Sequence, residues 1–145
     1  MRYFDTSFLM PVFVGESSSA RTERILREQP IGQVAVSEWT RVEFSSAIAR
    51  QVRMGEVDDD EAKGIEKAFD AYIENSFSII SPAVADYDLA RRFIRRYEIG
   101  LRSGDALHLA IASNHRAEAI YSLDRGLLRA GRALGLPVES GGRQP

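Results

Sequence analysis

The chain has 145 residues, 44% hydrophobic and 28% charged, with 21 acidic side chains against 19 basic ones and a net charge of −2. That length favours one domain with a real core, and the composition excludes a disordered or fibrous polypeptide. The charge balance excludes a strongly basic nucleic-acid binder, though not an enzyme acting on nucleic acid.

Arg2-Tyr3-Phe4 reads as a short strand ending at Asp5-Thr6-Ser7, and a strand this close to the terminus is expected to be tied into a sheet. Ser7 to Val14 is a helical turn stopped near Gly15, and Ser17 to Glu28 is a second helix. Ile31 to Val36 is the next strand. Ser37 is the N-cap of a helix running to Met54, with Gly55 as its stop. Asp58-Asp59-Asp60-Glu61 opens a further helix to Asn75. Acids in a first turn complement the macrodipole, and Lys63 stands where a calcium loop needs glycine. Phe77 to Ile80 is a strand, Pro82 to Glu98 an arginine-rich helix, and Ser103 caps a helix to His115. Ala119 to Ser122 is a strand, Asp124 to Ala133 a helix, and Leu136-Pro137-Val138 an edge strand. The domain is expected over residues 1–139, with 140–145 a disordered tail.

Strands separated by helices predict an α/β fold, three layers deep, with a central parallel sheet of four to five strands. There is no cysteine, hence no disulfide and no thiolate metal site. The apolar run Phe8 to Val14 is interrupted by Pro11 and is too short for a signal peptide or a bilayer span, so a soluble cytoplasmic protein is expected.

Ligands of such sheets bind beyond the carboxyl ends of the strands at a topological switch point, which directs attention to polar residues just after strands. Asp5 and Asp124 follow strands, and Asp105 lies in the first turn of the helix opened by Ser103. Glu43 sits inside a helix beside Val42, Phe44, Ala47 and Ile48, where ionisation is costly without a positive neighbour. Each has a structural alternative: Asp5, Asp105 and Asp124 as helix caps, Glu43 as partner of Arg41 or Arg50. Four acids at one crevice repel one another unless a cation is present. Oxygen ligands favour Mg²⁺ or Mn²⁺ over zinc.

Tyr3-Phe4-Asp5-Thr6-Ser7, Ser37-Glu38-Trp39-Thr40-Arg41-Val42-Glu43-Phe44, Leu101-Arg102-Ser103-Gly104-Asp105-Ala106-Leu107-His108-Leu109-Ala110 and Tyr121-Ser122-Leu123-Asp124-Arg125 occur in that order. In order and spacing the chain resembles PIN-domain ribonucleases, in particular the VapC-type toxins of bacterial toxin–antitoxin pairs. Ser122 is a mild departure, since the family often has Thr there. The resemblance implies a PIN fold and a metal-binding catalytic quartet of Asp5, Glu43, Asp105 and Asp124, with Ser7 hydrogen bonded inside it. It implies Mg²⁺- or Mn²⁺-dependent cleavage of tRNA, rRNA or mRNA by water attack on a phosphodiester. It further implies inhibition by a VapB-type antitoxin seated on the early helices, and a homodimer.

Arg125, beside Asp124, and Arg102 are the candidate substrate contacts. Arg91, Arg92, Arg95 and Arg96 form either a solvated face, with Phe93, Ile94 and Tyr97 inward, or an edge that tracks phosphates. His108 reads as a packed core histidine or as a donor to a nearby carboxylate, and His115 as a surface residue. A non-catalytic partner-binding PIN module is the alternative function. A phosphatase or phosphotransfer domain fits less well: Ser7 stands where a haloacid-dehalogenase-type phosphatase needs its second acid. The only lysines, Lys63 and Lys67, lie too early for a receiver domain.

Overall fold

The structure, a computed structural model, describes residues 1–15 and 19–142. Its centre is a five-stranded sheet with every pairing parallel: β1 (Arg2–Phe4), β2 (Val34–Ser37), β3 (Ser78–Ile80), β4 (Ala119–Tyr121) and β5 (Val138–Glu139). The order across the sheet is β3-β2-β1-β4-β5. The chain therefore steps outward from β1 to β3, then returns to place β4 on the other side of β1.

Among the described residues seven α-helices cover the sheet: α1 (Thr6–Val14), α2 (Ser19–Arg27), α3 (Glu38–Arg53), α4 (Asp59–Ser76), α5 (Val84–Ile94), α6 (Ser103–Asn114) and α7 (Arg125–Ala133). Successive strand residues point to opposite faces. Tyr3 and Ile120 accordingly pack with α5, α6 and α7, whereas Phe4, Val34 and Val36 pack with α1 to α4. The second layer is dense in aromatics. Phe44 of α3 stacks on Phe69 of α4 with ring centroids 3.7 Å apart, and Phe13 of α1 meets both rings edge-on. The fold is the expected α/β arrangement, with the full five strands.

The boundaries differ in places, each for a local reason. β2 starts at Val34 rather than Ile31. Residues 30–33 close a turn, with Gln33 N–H donating to the Pro30 carbonyl, Gly32 at φ 77° and Ile31 fully exposed. The helix expected over Pro82 to Glu98 is two elements, α5 and a single 3₁₀ turn at Tyr97–Ile99 ended by left-handed Gly100. Tyr97 consequently faces solvent at 82% exposure instead of packing inward. Arg102, not Ser103, occupies the N-cap position of α6, and its side chain makes no cap hydrogen bond. Asp5 takes the N-cap of α1, which starts at Thr6, one residue ahead of the expected Ser7.

Ser17, the expected start of α2, lies outside the described residues. Of the segment 140–145, Ser140 and Gly141 accept hydrogen bonds from Arg21 at 3.1 and 3.0 Å, while Arg143 to Pro145 lie outside the described residues. Among the described residues no helix is long and apolar enough to cross a membrane.

Candidate active site

The sheet order places its switch point between β1 and β4, and the residues after these two strands open a crevice at their carboxyl ends. Asp5 follows β1 and Asp124 follows β4 by three residues. Glu43 reaches the crevice from the second turn of α3 and Asp105 from the first turn of α6. All four acids, with Ser7 and Arg102, line a single depression of about 620 Å³. Arg125 is exposed beside Asp124 and does not line it.

Asp5 is 3% exposed and is held from three sides. Its Oδ1 accepts from Phe8 N–H at 3.0 Å, which caps α1, and from the Ser7 hydroxyl at 2.7 Å; its Oδ2 accepts from Ser122 Oγ at 2.6 Å. Burial raises its carboxyl above the usual range, against the opposing charge of His108 and these hydrogen bonds. Ser7 Oγ also accepts from the backbone N–H groups of Leu123 and Asp124 at 2.9 and 3.2 Å. One hydroxyl thus joins the turn after β1 to the turn after β4. Asp124 caps α7 by accepting from Leu127 N–H at 2.9 Å, so the capping alternatives for Asp5 and Asp124 both hold alongside their place in the depression.

Glu43 pairs with neither Arg41 nor Arg50. Arg41 turns to α4, where it meets Asp70 and Glu74. Oε1 of Glu43 instead accepts from Thr6 Oγ1 at 2.7 Å and from Nε2 of His108. Burial pushes the Glu43 carboxyl up, yet the His108 contact and the Thr6 hydroxyl outweigh it and hold the group below its ordinary value. His108 is 1% exposed, and its Nδ1 lies 2.7 Å from the Tyr3 hydroxyl, which in turn lies 2.9 Å from Ser37 Oγ. A carboxylate only accepts, so Nε2 carries a proton, and the Tyr3 hydroxyl is the partner of Nδ1. Both readings of His108 from the sequence are met in one residue: it is a core histidine that also donates to a site carboxylate.

Asp105 and Asp124 face each other across the Arg102 guanidinium, whose Nη2 is 3.3 Å from one carboxylate and 3.0 Å from the other. Burial and the Asp124 charge raise the Asp105 carboxyl, with Arg102 opposing. Gly104 completes the wall. A Cβ at this position would sit 2.9 Å from Glu43 Oε2 and 3.5 Å from the Trp39 ring.

The donor set fits a hard divalent cation in kind: carboxylate oxygens from four chain segments, buried enough to repel one another without a counter-charge. As the side chains stand, no three acids or histidines among the described residues are grouped closely enough to hold an ion, and Arg102 supplies the positive charge between Asp105 and Asp124.

Sequence reasoning missed Tyr3, Thr6 and Gly104. The first two sit in or beside a strand with nothing local to mark them, whereas Gly104 could have been found as a glycine in the first turn of a helix that needs none for its backbone.

A model of the PIN domain matches residues 2–133, and the chain belongs to that family. Among curated proteins none matches the sequence. Solved structures with this fold include the sarcin-ricin-loop-cleaving toxin VapC20 of Mycobacterium tuberculosis, at a TM-score of 0.71 and 18% identity over 94% of this chain and 96% of that one. A toxin–antitoxin complex from Klebsiella pneumoniae gives 0.70 and 20% over 99% and 100%. FitAcB from Neisseria gonorrhoeae gives 0.69 and 15% over 99% and 100%. At these identities the likeness establishes the fold.

Proposed function

We propose that this PIN domain is a Mg²⁺- or Mn²⁺-dependent endoribonuclease, the toxin of a toxin–antitoxin pair. The observation that carries the reading is the convergence of Asp5, Glu43, Asp105 and Asp124, from four separate segments, on one depression at the sheet's switch point. Burial raises the carboxyls of Asp5 and Asp105, the latter with help from the Asp124 charge, and such perturbed acids gathered in one crevice mark a functional site. Support for the toxin role comes from the fold neighbours, one of which is described as a toxin cleaving the sarcin-ricin loop and another as a toxin–antitoxin complex.

In this reading the four carboxylates hold the cation. A cation held there would supply activation of water and neutralisation of the phosphate charge. The chain's own residues do the positioning. Ser7 and Ser122 fix both oxygens of Asp5, and His108 with Thr6 fixes one oxygen of Glu43 while leaving Oε2 beside Gly104. Arg102, on the rim, moves from the carboxylates to the substrate phosphate, and Arg125 extends the rim. A VapB-type antitoxin covers the partly buried apolar residues of α1, Met10, Val12 and Phe13, and the toxin works as a cytoplasmic homodimer.

The test is cleavage of end-labelled RNA by purified protein in Mn²⁺ and in EDTA, with Asp5→Asn as control. Metal-dependent cutting lost in the variant is expected; equal cutting by both proteins refutes the site.

The Arg102 bridge, and the lack of a ready-made ion cage among the described residues, favour a second reading, a non-catalytic PIN module that only binds a partner. Calorimetric titration with Mn²⁺ separates the two: carboxylate-dependent binding supports the nuclease, and no binding supports the module.

A further inference from the structure

The wall of the depression continues into a second one. The two share Glu43, Ala47 and Arg50, and the second, of about 490 Å³, runs on past Ser46 and Gln51 to Arg53 and Met54 at the end of α3. The positions 43, 46, 50 and 53 recur every three to four residues, so they form one stripe along a single helix face. At 1.5 Å per residue the stripe extends about 16 Å from Glu43 to Met54.

The arginines of α3 divide by face. Arg41 is bound by Glu38, Asp70 and Glu74. Arg50 and Arg53 are exposed and take part in no ion pair among the described residues. We propose that this α3 trough is the path of single-stranded RNA leaving the acid cluster, with Arg50 and Arg53 binding successive backbone phosphates; this rests on the nuclease reading above. The trough begins where the scissile phosphate must sit, beyond Glu43 it carries Arg50 and Arg53 against the single carboxylate of Glu56 at its far end, and exposed Met54 offers an apolar contact for a base. The competing role is local, since basic residues in a last turn also complement the helix dipole.

The experiment uses Asp5→Asn protein, which holds RNA uncut, and a short fluorescein-labelled single-stranded RNA titrated at a series of salt concentrations. Adding Arg50→Ala and Arg53→Ala is expected to weaken binding and make the log–log salt slope shallower by about 1.4, two contacts at ~0.7 each. Lysine at both positions is expected to restore most of the slope, and the melting temperature is expected to stay at the parent value. A parental slope in the double alanine variant, with wild-type protein cutting RNA, overturns the trough and leaves the nuclease standing. A lower melting temperature with an unchanged slope assigns the arginines to the helix alone and also overturns it. Wild-type protein that neither binds nor cuts RNA removes both proposals.

Discussion

Nε2 of His108 donates to Oε1 of Glu43 at the floor of the depression, while the other nitrogen of the same ring meets the buried Tyr3 hydroxyl. A site carboxylate is thereby anchored through the hydrophobic core. Removing the ring takes one of two partners from each of the Tyr3 hydroxyl, which keeps Ser37, and Glu43, which keeps Thr6, a loss of about 0.5–1.5 kcal/mol apiece. His108→Ala is expected to unfold at lower urea and to bind Mn²⁺ about 10–100-fold more weakly, the usual cost of losing a support behind a ligand. Urea melts and calorimetry check the two halves separately; unchanged metal affinity would place His108 in the core only.

Gly104 offers a cleaner separation of fold from site. Alanine is intrinsically better than glycine in a helix by up to about 1 kcal/mol. Yet its methyl would crowd Glu43 Oε2, the movable end of a side chain. Gly104→Ala should therefore melt no lower than wild type while losing about tenfold in cleavage, as expected for a displaced supporting contact. A thermal melt and a single-turnover cleavage assay on the same preparation decide the point.

Arg102 stands where a cation would have to go between Asp105 and Asp124. Its side chain is 73% exposed, so the pairs are screened by solvent and add little to the fold. Arg102→Ala is expected to bind Mn²⁺ more tightly and RNA more weakly, with Arg102→Lys between. Weaker Mn²⁺ binding in the alanine variant would contradict competition between the guanidinium and the metal.

The buried acids also set a pH signature. Burial raises Asp5 above its ordinary 3.8, and burial with Asp124 raises Asp105 above the same value. A folded state that holds a proton more tightly than the unfolded chain loses stability as pH rises from about the unfolded value through the raised one, and the loss persists above it. Asparagine caps helices as well as aspartate does and carries no charge. In EDTA at pH 7, Asp5→Asn should melt above wild type, by about 2–4 °C for each kcal/mol regained. The gap should narrow once the pH falls below the ordinary carboxyl value. Scanning fluorimetry across a pH series tests this, and a variant that melts lower at neutral pH would refute it.

The sequence made the four acids legible for two different reasons. Asp5 and Asp124 end strands and Asp105 opens a helix, so a rule about where α/β sheets bind ligands reaches them. Glu43 is conspicuous because a carboxylate among Val42, Phe44 and Ile48 is out of place. What lay beyond reading were partners distant in the chain: Tyr3 meets His108 across 105 positions, and Ser7 meets Asp124 across 117. No local periodicity encodes such pairs. The false continuation of α5 to Glu98 has the opposite origin. The arginine-rich pattern carries on smoothly, yet the helix ends at Ile94, Arg96 leaves the helical conformation at ψ 74°, and Gly100 then ends the short 3₁₀ turn.

The sheet order also fixes when the site can come into being. β1 lies at the centre with one side open until β4 pairs with it, Phe4 opposite Tyr121. During synthesis, a chain that has emerged only as far as α5 carries Asp5 and Glu43 but neither Asp105 nor Asp124, and Ser7 has no second turn to clasp. The crevice is therefore assembled late: it closes only when the last fifth of the polypeptide docks, and a chain that stops before β4 lacks both Asp124 and the second turn that Ser7 clasps.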